Sequence, residues 1–210
     1  MKTIHRKALH QITALCAASA FAACAWASGI TEEGYMLEPG DWRSEVAGVP
    51  SPDWPVDGWY RLSPGRKGVD VRAMVPNQAE AGDPEGALYV RVPGTRLVEG
   101  EHARVRFASG ELKPKVGTTY SLTLARMPFS FEVQSERDGT RLQVDYAGVT
   151  HSYMLGLPAA ATRVKAIADF DGDGFPDFLV EVGDDTFLLL STKAQPGGNL
   201  PTAQLWAIGC

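Results

Sequence analysis

Four aspartates at near-alternate spacing are the residues of this chain best suited to chemistry. In Asp169-Phe170-Asp171-Gly172-Asp173-Gly174-Phe175-Pro176-Asp177, carboxylates stand at loop positions 1, 3, 5 and 9, with glycine at position 6. A calcium ion asks for about six to eight oxygens at once. Alternate residues of a tight loop bring carboxylates to one centre, and Gly174 permits the sharp turn. The backbone carbonyl of Phe175, at position 7, supplies a further oxygen. Carboxylates this close repel one another when no cation sits among them. Magnesium suits the loop less, because it keeps its waters and an octahedral shell. The expected ligands are therefore Asp169, Asp171, Asp173, Phe175 and Asp177, and the expected ion is calcium. An acidic surface turn is the plain alternative.

Other constellations are weaker. His102 and His151 have no second histidine, cysteine or carboxylate at metal-binding spacing, which argues against zinc. His102 reads as an exposed residue at a strand start, and His151 as a surface or sheet-edge residue with its hydrogen bonds met. No G-x-S-x-G elbow, phosphate loop, dinucleotide fingerprint or H-E-x-x-H helix occurs. Carboxylate pairs of the glycosidase kind cannot be singled out in a chain with 25 acidic residues. No catalytic residue is expected. Trp54, Trp59 and Tyr60 lie within seven residues beside polar turns. Exposed, they make a platform for sugar rings or a protein partner; buried, they are core.

The segments around the aspartates must be strands. An EF-hand needs a bidentate Glu at position 12, where this chain has Val180, and it needs flanking helices. Val164-Lys165-Ala166-Ile167-Ala168 instead enters as a strand, Phe178-Leu179-Val180-Glu181-Val182 leaves as one, and Gly183-Asp184-Asp185 turns the chain into another. Residues 163–191 resemble a single FG-GAP or VCBS-type unit, the calcium-loop β-hairpin of integrin-like propellers and many secreted bacterial proteins. The D-x-[DN]-x-D-G-x-x-D pattern is matched by Asp169, Asp171, Asp173, Gly174 and Asp177. The resemblance implies a structural calcium ion that staples a β-hairpin. Propellers repeat the unit and this chain has one, so it implies one blade-like unit in a compact domain.

Elsewhere short apolar runs alternate with turn residues. Strands are expected at Trp59–Leu62, Val69–Val75, Ala87–Val92, Ala103–Phe107, Thr119–Ala125, Phe129–Gln134, Arg141–Ala147, Ser152–Leu155, Arg163–Ala168, Phe178–Val182, Phe187–Ser191 and Gln204–Ile208. Phe129–Gln134 and Arg141–Ala147 should pair as a hairpin across Asp138-Gly139, with Phe129, Phe131, Val133, Leu142, Val144 and Tyr146 facing one core. The expected fold is all-β, a compact antiparallel domain of sandwich or partial propeller-like form. Residues 28–57 read as an irregular lead-in, 58–100 as a β segment and 101–210 as a β domain. A soft boundary near 93–101 leaves open two subdomains or one continuous sheet system.

Composition narrows the setting. Residues 1–27 pair a basic head (Lys2, Arg6, Lys7) with an apolar run from Ala8 to Ala23 and end in Ala25-Trp26-Ala27, the pattern of a secretory signal peptide cleaved before Ser28. Phe21-Ala22-Ala23-Cys24 loosely resembles a lipobox, which would make Cys24 the acylated N-terminus of a lipoprotein. Without the head's three cations, 17 of the 20 basic side chains face 25 acidic ones, a formal charge of −8. An acidic chain without a Lys/Arg run repels nucleic acid. No apolar run reaches the roughly 18 residues that span a bilayer. After cleavage after Ala27 only Cys210 remains of three cysteines, so no internal disulfide is available. These features point to an exported, calcium-stabilised, non-enzymatic binding protein of the bacterial periplasm or envelope, with a protein or envelope polysaccharide as partner. An inhibitor of a cell-wall hydrolase, an enzyme or accessory domain acting on envelope polysaccharide, and a part of a surface assembly are the alternatives.

Overall fold

Period-two alternation builds most of this molecule. The computed structural model describes residues 34–48, 54–76, 82–108 and 110–206. The described residues form β1 (Gly34–Leu37), β2 (Trp59–Pro64), β3 (Gly68–Met74), β4 (Leu88–Arg91), β5 (Gly100–Ala103), β6 (Thr119–Leu124), β7 (Met127–Ser135), β8 (Thr140–Tyr146), β9 (Val149–Leu155), β10 (Thr162–Ala168), β11 (Asp177–Val182), β12 (Asp185–Leu189), β13 (Gly197–Asn199) and β14 (Ala203–Leu205). Nine strands make one sheet in the order β10-β11-β12-β14-β1-β4-β2-β3-β5, and five make a second, β13-β9-β8-β7-β6. Pairing is antiparallel except between β1 and β14 and between β13 and β9. The fold is all-β, as the alternation requires. Among the described residues no helix is long and apolar enough to cross a membrane.

Four strands of the five-stranded sheet, β6 to β9, form a meander, and β13 joins β9 in parallel. Phe129, Phe131 and Val133 of β7 stand opposite Tyr146, Val144 and Leu142 of β8, and all six are buried in one core. The expected hairpin therefore forms, and the Glu136 N–H closes its turn on the Gly139 carbonyl at 2.9 Å. Gly139 is there for space: a Cβ would lie 2.8 Å from the Met154 sulfur and 3.0 Å from the Gly156 carbonyl.

The nine-stranded sheet curls until its ends nearly meet. Beyond β5 the chain leaves β3 and turns to β10, where the Val105 N–H reaches the Ile167 carbonyl at 2.9 Å. Leu112 then bridges Val164, and Lys165 lies 3.4 Å from Glu111. Ala103–Phe107, expected as one strand, is thus split: β5 ends at Ala103 and the rest crosses the seam. Inside this barrel-like sheet lie Met36, Leu62, Val71, Val90, Ala166, Ala168, Leu179, Leu188 and Leu190. Its strands come from both sides of 93–101, so one continuous sheet system runs through that stretch.

Two cores share β10–β12. Phe178, Val180, Phe187 and Leu189 face the five-stranded sheet, whereas Leu179 and Leu188 face the barrel interior. A strand covered on both faces must be apolar throughout, which explains the unbroken Phe178-Leu179-Val180 and Phe187-Leu188-Leu189-Leu190 runs. A register shift between Val164 and Ala166 lets β10 serve both cores, with Val164 and Ile167 on one and Ala166 and Ala168 on the other.

Within 28–57, the described residues 34–48 and 54–57 are more regular than the lead-in expected there. They contain β1, a short helix α1 (Pro39–Asp41) and a π-helical turn over Trp42–Ala47. Pro39 sits at the start of the helix, where its missing N–H costs nothing. Trp42 and Val46, one turn apart, bury their side chains with Leu37, Trp59, Met74 and Tyr89 against the outside of the barrel. The expected signal peptide, Cys24 and Cys210 lie outside the described residues.

Candidate metal centre

The aspartate loop joins β10 to β11 where the two cores meet. Phe170 is fully buried in the barrel core, while the half-buried Phe175 packs on the other core with its ring 5.2 Å from Tyr146. The two aromatic residues of the loop therefore anchor it to different sides of the sheet. Gly174 adopts φ +85°, the left-handed turn its loop position demands.

Each carboxylate has a defined setting. Asp169 accepts the N–H of Gly172 at 2.7 Å and of Gly174 at 3.0 Å, winding the loop around itself. Asp171 accepts the Thr192 hydroxyl at 2.5 Å. Asp173 accepts the Phe175 N–H at 2.8 Å and the Ser191 hydroxyl at 2.8 Å. Asp177, at the first position of β11, is wholly buried. Its Oδ2 takes the Phe170 N–H at 2.6 Å and its Oδ1 the Ser191 N–H at 2.7 Å, while the single Ser191 hydroxyl proton is shared between this Oδ1 and Asp173, the hydroxyl oxygen lying 2.8 Å from each. Ser191 and Thr192 begin the short helical turn after β12, so the loop is tied to a strand end 14 to 21 residues away. No local spacing signals these partners.

The structure brings three of the four expected carboxylates together. One oxygen from each of Asp169, Asp171 and Asp177 lies within 4.8 Å of the others. Carboxylate oxygens gathered this closely are the donors that a hard, oxygen-seeking cation takes. Asp173 stands outside that trio, turned to Ser191 and to the loop backbone. The Phe175 N–H and ring help close the loop. Burial pushes the Asp177 carboxyl well above its ordinary range, and the charge of Asp171 adds to the rise against the hydrogen bonds from Ser191 and Phe170. Burial also raises Asp171, opposed by its Thr192 hydrogen bond and reinforced by Asp173. Tyr146, beside the loop, is pushed up to about 12, first by burial and then by Asp173, Asp177 and Asp171. A cation would relieve all three.

No family model, curated protein or solved structure matches the chain.

The other singled-out residues fall elsewhere. His102, in β5, has its Nε2 2.6 Å from the Val98 carbonyl. His151 departs from the expected sheet-edge setting: β9 lies between β8 and β13, and the parity that turns Tyr153 and Leu155 inward buries His151 as well. Its Nδ1 lies 2.9 Å from the Gln195 carbonyl, its Nε2 has no hydrogen-bond partner, and its ring stacks on Tyr146 at 4.4 Å. Trp59 and Tyr60 are buried on opposite faces of β2, and Trp54 is half-buried, so the three form no joint platform.

Proposed function

We propose that this chain is an exported, calcium-stabilised binding protein of the bacterial periplasm or envelope, and that its aspartate loop is structural rather than catalytic. The trio of carboxylate oxygens from Asp169, Asp171 and Asp177 carries the reading. Chemistry at the loop is disfavoured because both oxygens of the buried Asp177 are engaged by Phe170 and Ser191. A calcium ion there would hold together β10, β11 and the end of β12, the strands common to both cores. On this reading residues 163–191 act as one FG-GAP or VCBS-type unit, with the Phe175 carbonyl adding to the shell and Asp173 entering it by turning from Ser191. The partner is a protein or an envelope polysaccharide. Export rests on the basic head, apolar run and Ala25-Trp26-Ala27 of the first 27 residues.

Melting temperature measured in excess calcium and in chelator tests the metal. With Kd of about 10⁻⁴–10⁻³ M, as in extracellular modules, calcium at about 10–100 times Kd should add roughly 1–3 kcal/mol. Asp171→Ala should remove that gain and leave the β-type circular dichroism spectrum in place. Identical melting of the wild type in calcium and in chelator would reduce the loop to an acidic turn.

A further inference from the structure

The outer face of the barrel-like sheet carries an aromatic group that the metal loop does not use. Register sets Tyr35 of β1 beside Gln204 of β14 on one side and Arg91 of β4 on the other, so the three side chains share a face. Trp206, two residues past Gln204, and Trp54, ahead of β2, join them. Trp54 meets Trp206 at 6.0 Å and 88°, and meets Tyr35 at 5.3 Å and 85°. Tyr35 and Trp206 stand 6.3 Å apart at 71°. Edge-to-face packing of this kind fixes ring orientation before any ligand arrives. Trp206 nonetheless keeps 49% of its surface exposed, whereas Trp42 and Trp59 of the neighbouring cluster are buried. The Arg91 guanidinium is held by its Nε–H to the Asp57 carbonyl at 2.9 Å, with a terminal nitrogen 3.8 Å from the Asp57 carboxylate. That carboxylate side chain is 88% exposed.

We propose that this face binds a glycan, with the exposed part of the Trp206 indole taking the C–H face of a pyranose ring. A sugar ring is apolar on its faces and carries hydroxyls around its rim, each of which both donates and accepts. A half-exposed, pre-oriented indole matches the first property at small cost in side-chain freedom. A guanidinium beside a carboxylate offers donors and acceptors together and matches the second, with the Gln204 amide as a further partner. An apolar protein segment fits less well: the exposed aliphatic side chains at its margin are Val56, beside Asp57, and Met154 and Leu200, in the cleft that Gln204 also lines, and such a segment would leave the Arg91–Asp57 pair unmatched. The inference names the partner of the binding protein proposed above and rests on that reading only for the premise that the protein acts by binding. It shares no residue with the aspartate loop.

Titration of the full mature chain with an N-acetylglucosamine hexamer and, separately, with maltohexaose tests it through tryptophan fluorescence. One or both sugars should give a saturable change, the two arms distinguishing an aminosugar chain from a glucan. Trp206→Ala should weaken binding about tenfold or more. Asp57→Ala, a change at an exposed side chain, should weaken it severalfold with unchanged melting temperature, and it decides the matter if Trp206→Ala folds poorly. No saturable change with either sugar at about millimolar concentration overturns the proposal. So does binding by both variants equal to that of the wild type, which would put the sugar elsewhere on the molecule. Running each titration in calcium and in chelator keeps the two readings apart. Sugar binding that survives while calcium leaves the melting temperature unmoved refutes only the metal; a calcium shift without sugar binding refutes only the glycan.

Discussion

At the scale of single residues, Asp177 is the side chain on which most converges. It lies at the strand end, is wholly buried, and collects donors from both Phe170 and Ser191. Asp177→Asn sets an amide N–H₂ against one of those donors, so it should cost about 1–3 kcal/mol even without metal. The pH dependence follows from the raised carboxyl. An unfolded aspartate titrates near about 3.9; between that value and the higher folded one, the native state holds the extra proton. Metal-free stability owed to Asp177 is therefore full at low pH and falls as pH rises through the folded value. In chelator, the melting-temperature gap between wild type and Asp177→Asn should narrow from about pH 4 towards neutrality, and a gap that widens would contradict the assignment. Calcium binds the ionised form, so its benefit should grow over the same range. Gly174→Ala, with open space around the new methyl but φ at +85°, should lose about 1–2 kcal/mol through backbone strain alone.

At the scale of elements, β11 and β12 couple the two halves. Phe178 packs edge-on against Phe129 at 6.0 Å and Phe131 at 5.6 Å in one core, while the adjacent Leu179 belongs to the other. Phe178→Ala should cost about 3–5 kcal/mol. Every tryptophan of the described residues, namely Trp42, Trp54, Trp59 and Trp206, belongs to the barrel side. The loss should therefore appear as an equal shift of the urea midpoint by tryptophan fluorescence and by far-ultraviolet circular dichroism. A fluorescence midpoint left in place would mean that the barrel-like sheet unfolds separately from the five-stranded one.

At the scale of the whole molecule, the expected mature protein is an acidic β chain of formal charge −8 without an internal disulfide. Its stability must come from packing and, on the reading proposed here, from a bound ion plentiful outside the cytoplasm. Intact mass of the protein recovered from an exporting host should correspond to a chain beginning at Ser28. A chain beginning at acylated Cys24 would make it a lipoprotein, and a chain retaining residues 1–27 would remove the argument for export. Because the aspartate loop and the aromatic face lie on different elements, calcium should act on sugar binding only through global stability.

Sequence by itself determined what short-range physics controls. Alternation in Phe129–Val133 and Leu142–Tyr146 fixed which side chains face the core, because a one-residue slip would expose them all. The spacing of Asp169, Asp171 and Asp173 with Gly174 defined the acidic loop, since loop geometry at that range depends on the residues of the loop. Tertiary structure decided the rest. It set Ser191 and Thr192 on the loop carboxylates across 14 to 21 residues, and it drew Asp177 into the trio while turning Asp173 away. Only pairing across the sheet could bring Tyr35 near Trp206, and only a second sheet packed on β10–β12 could explain apolar runs without alternation. His151 reads as a surface residue in sequence because a lone histidine carries no period of its own; strand parity and a neighbouring β13 buried it. Contacts between residues far apart in the chain depend on which strands meet, and that choice is made by the summed burial of both cores.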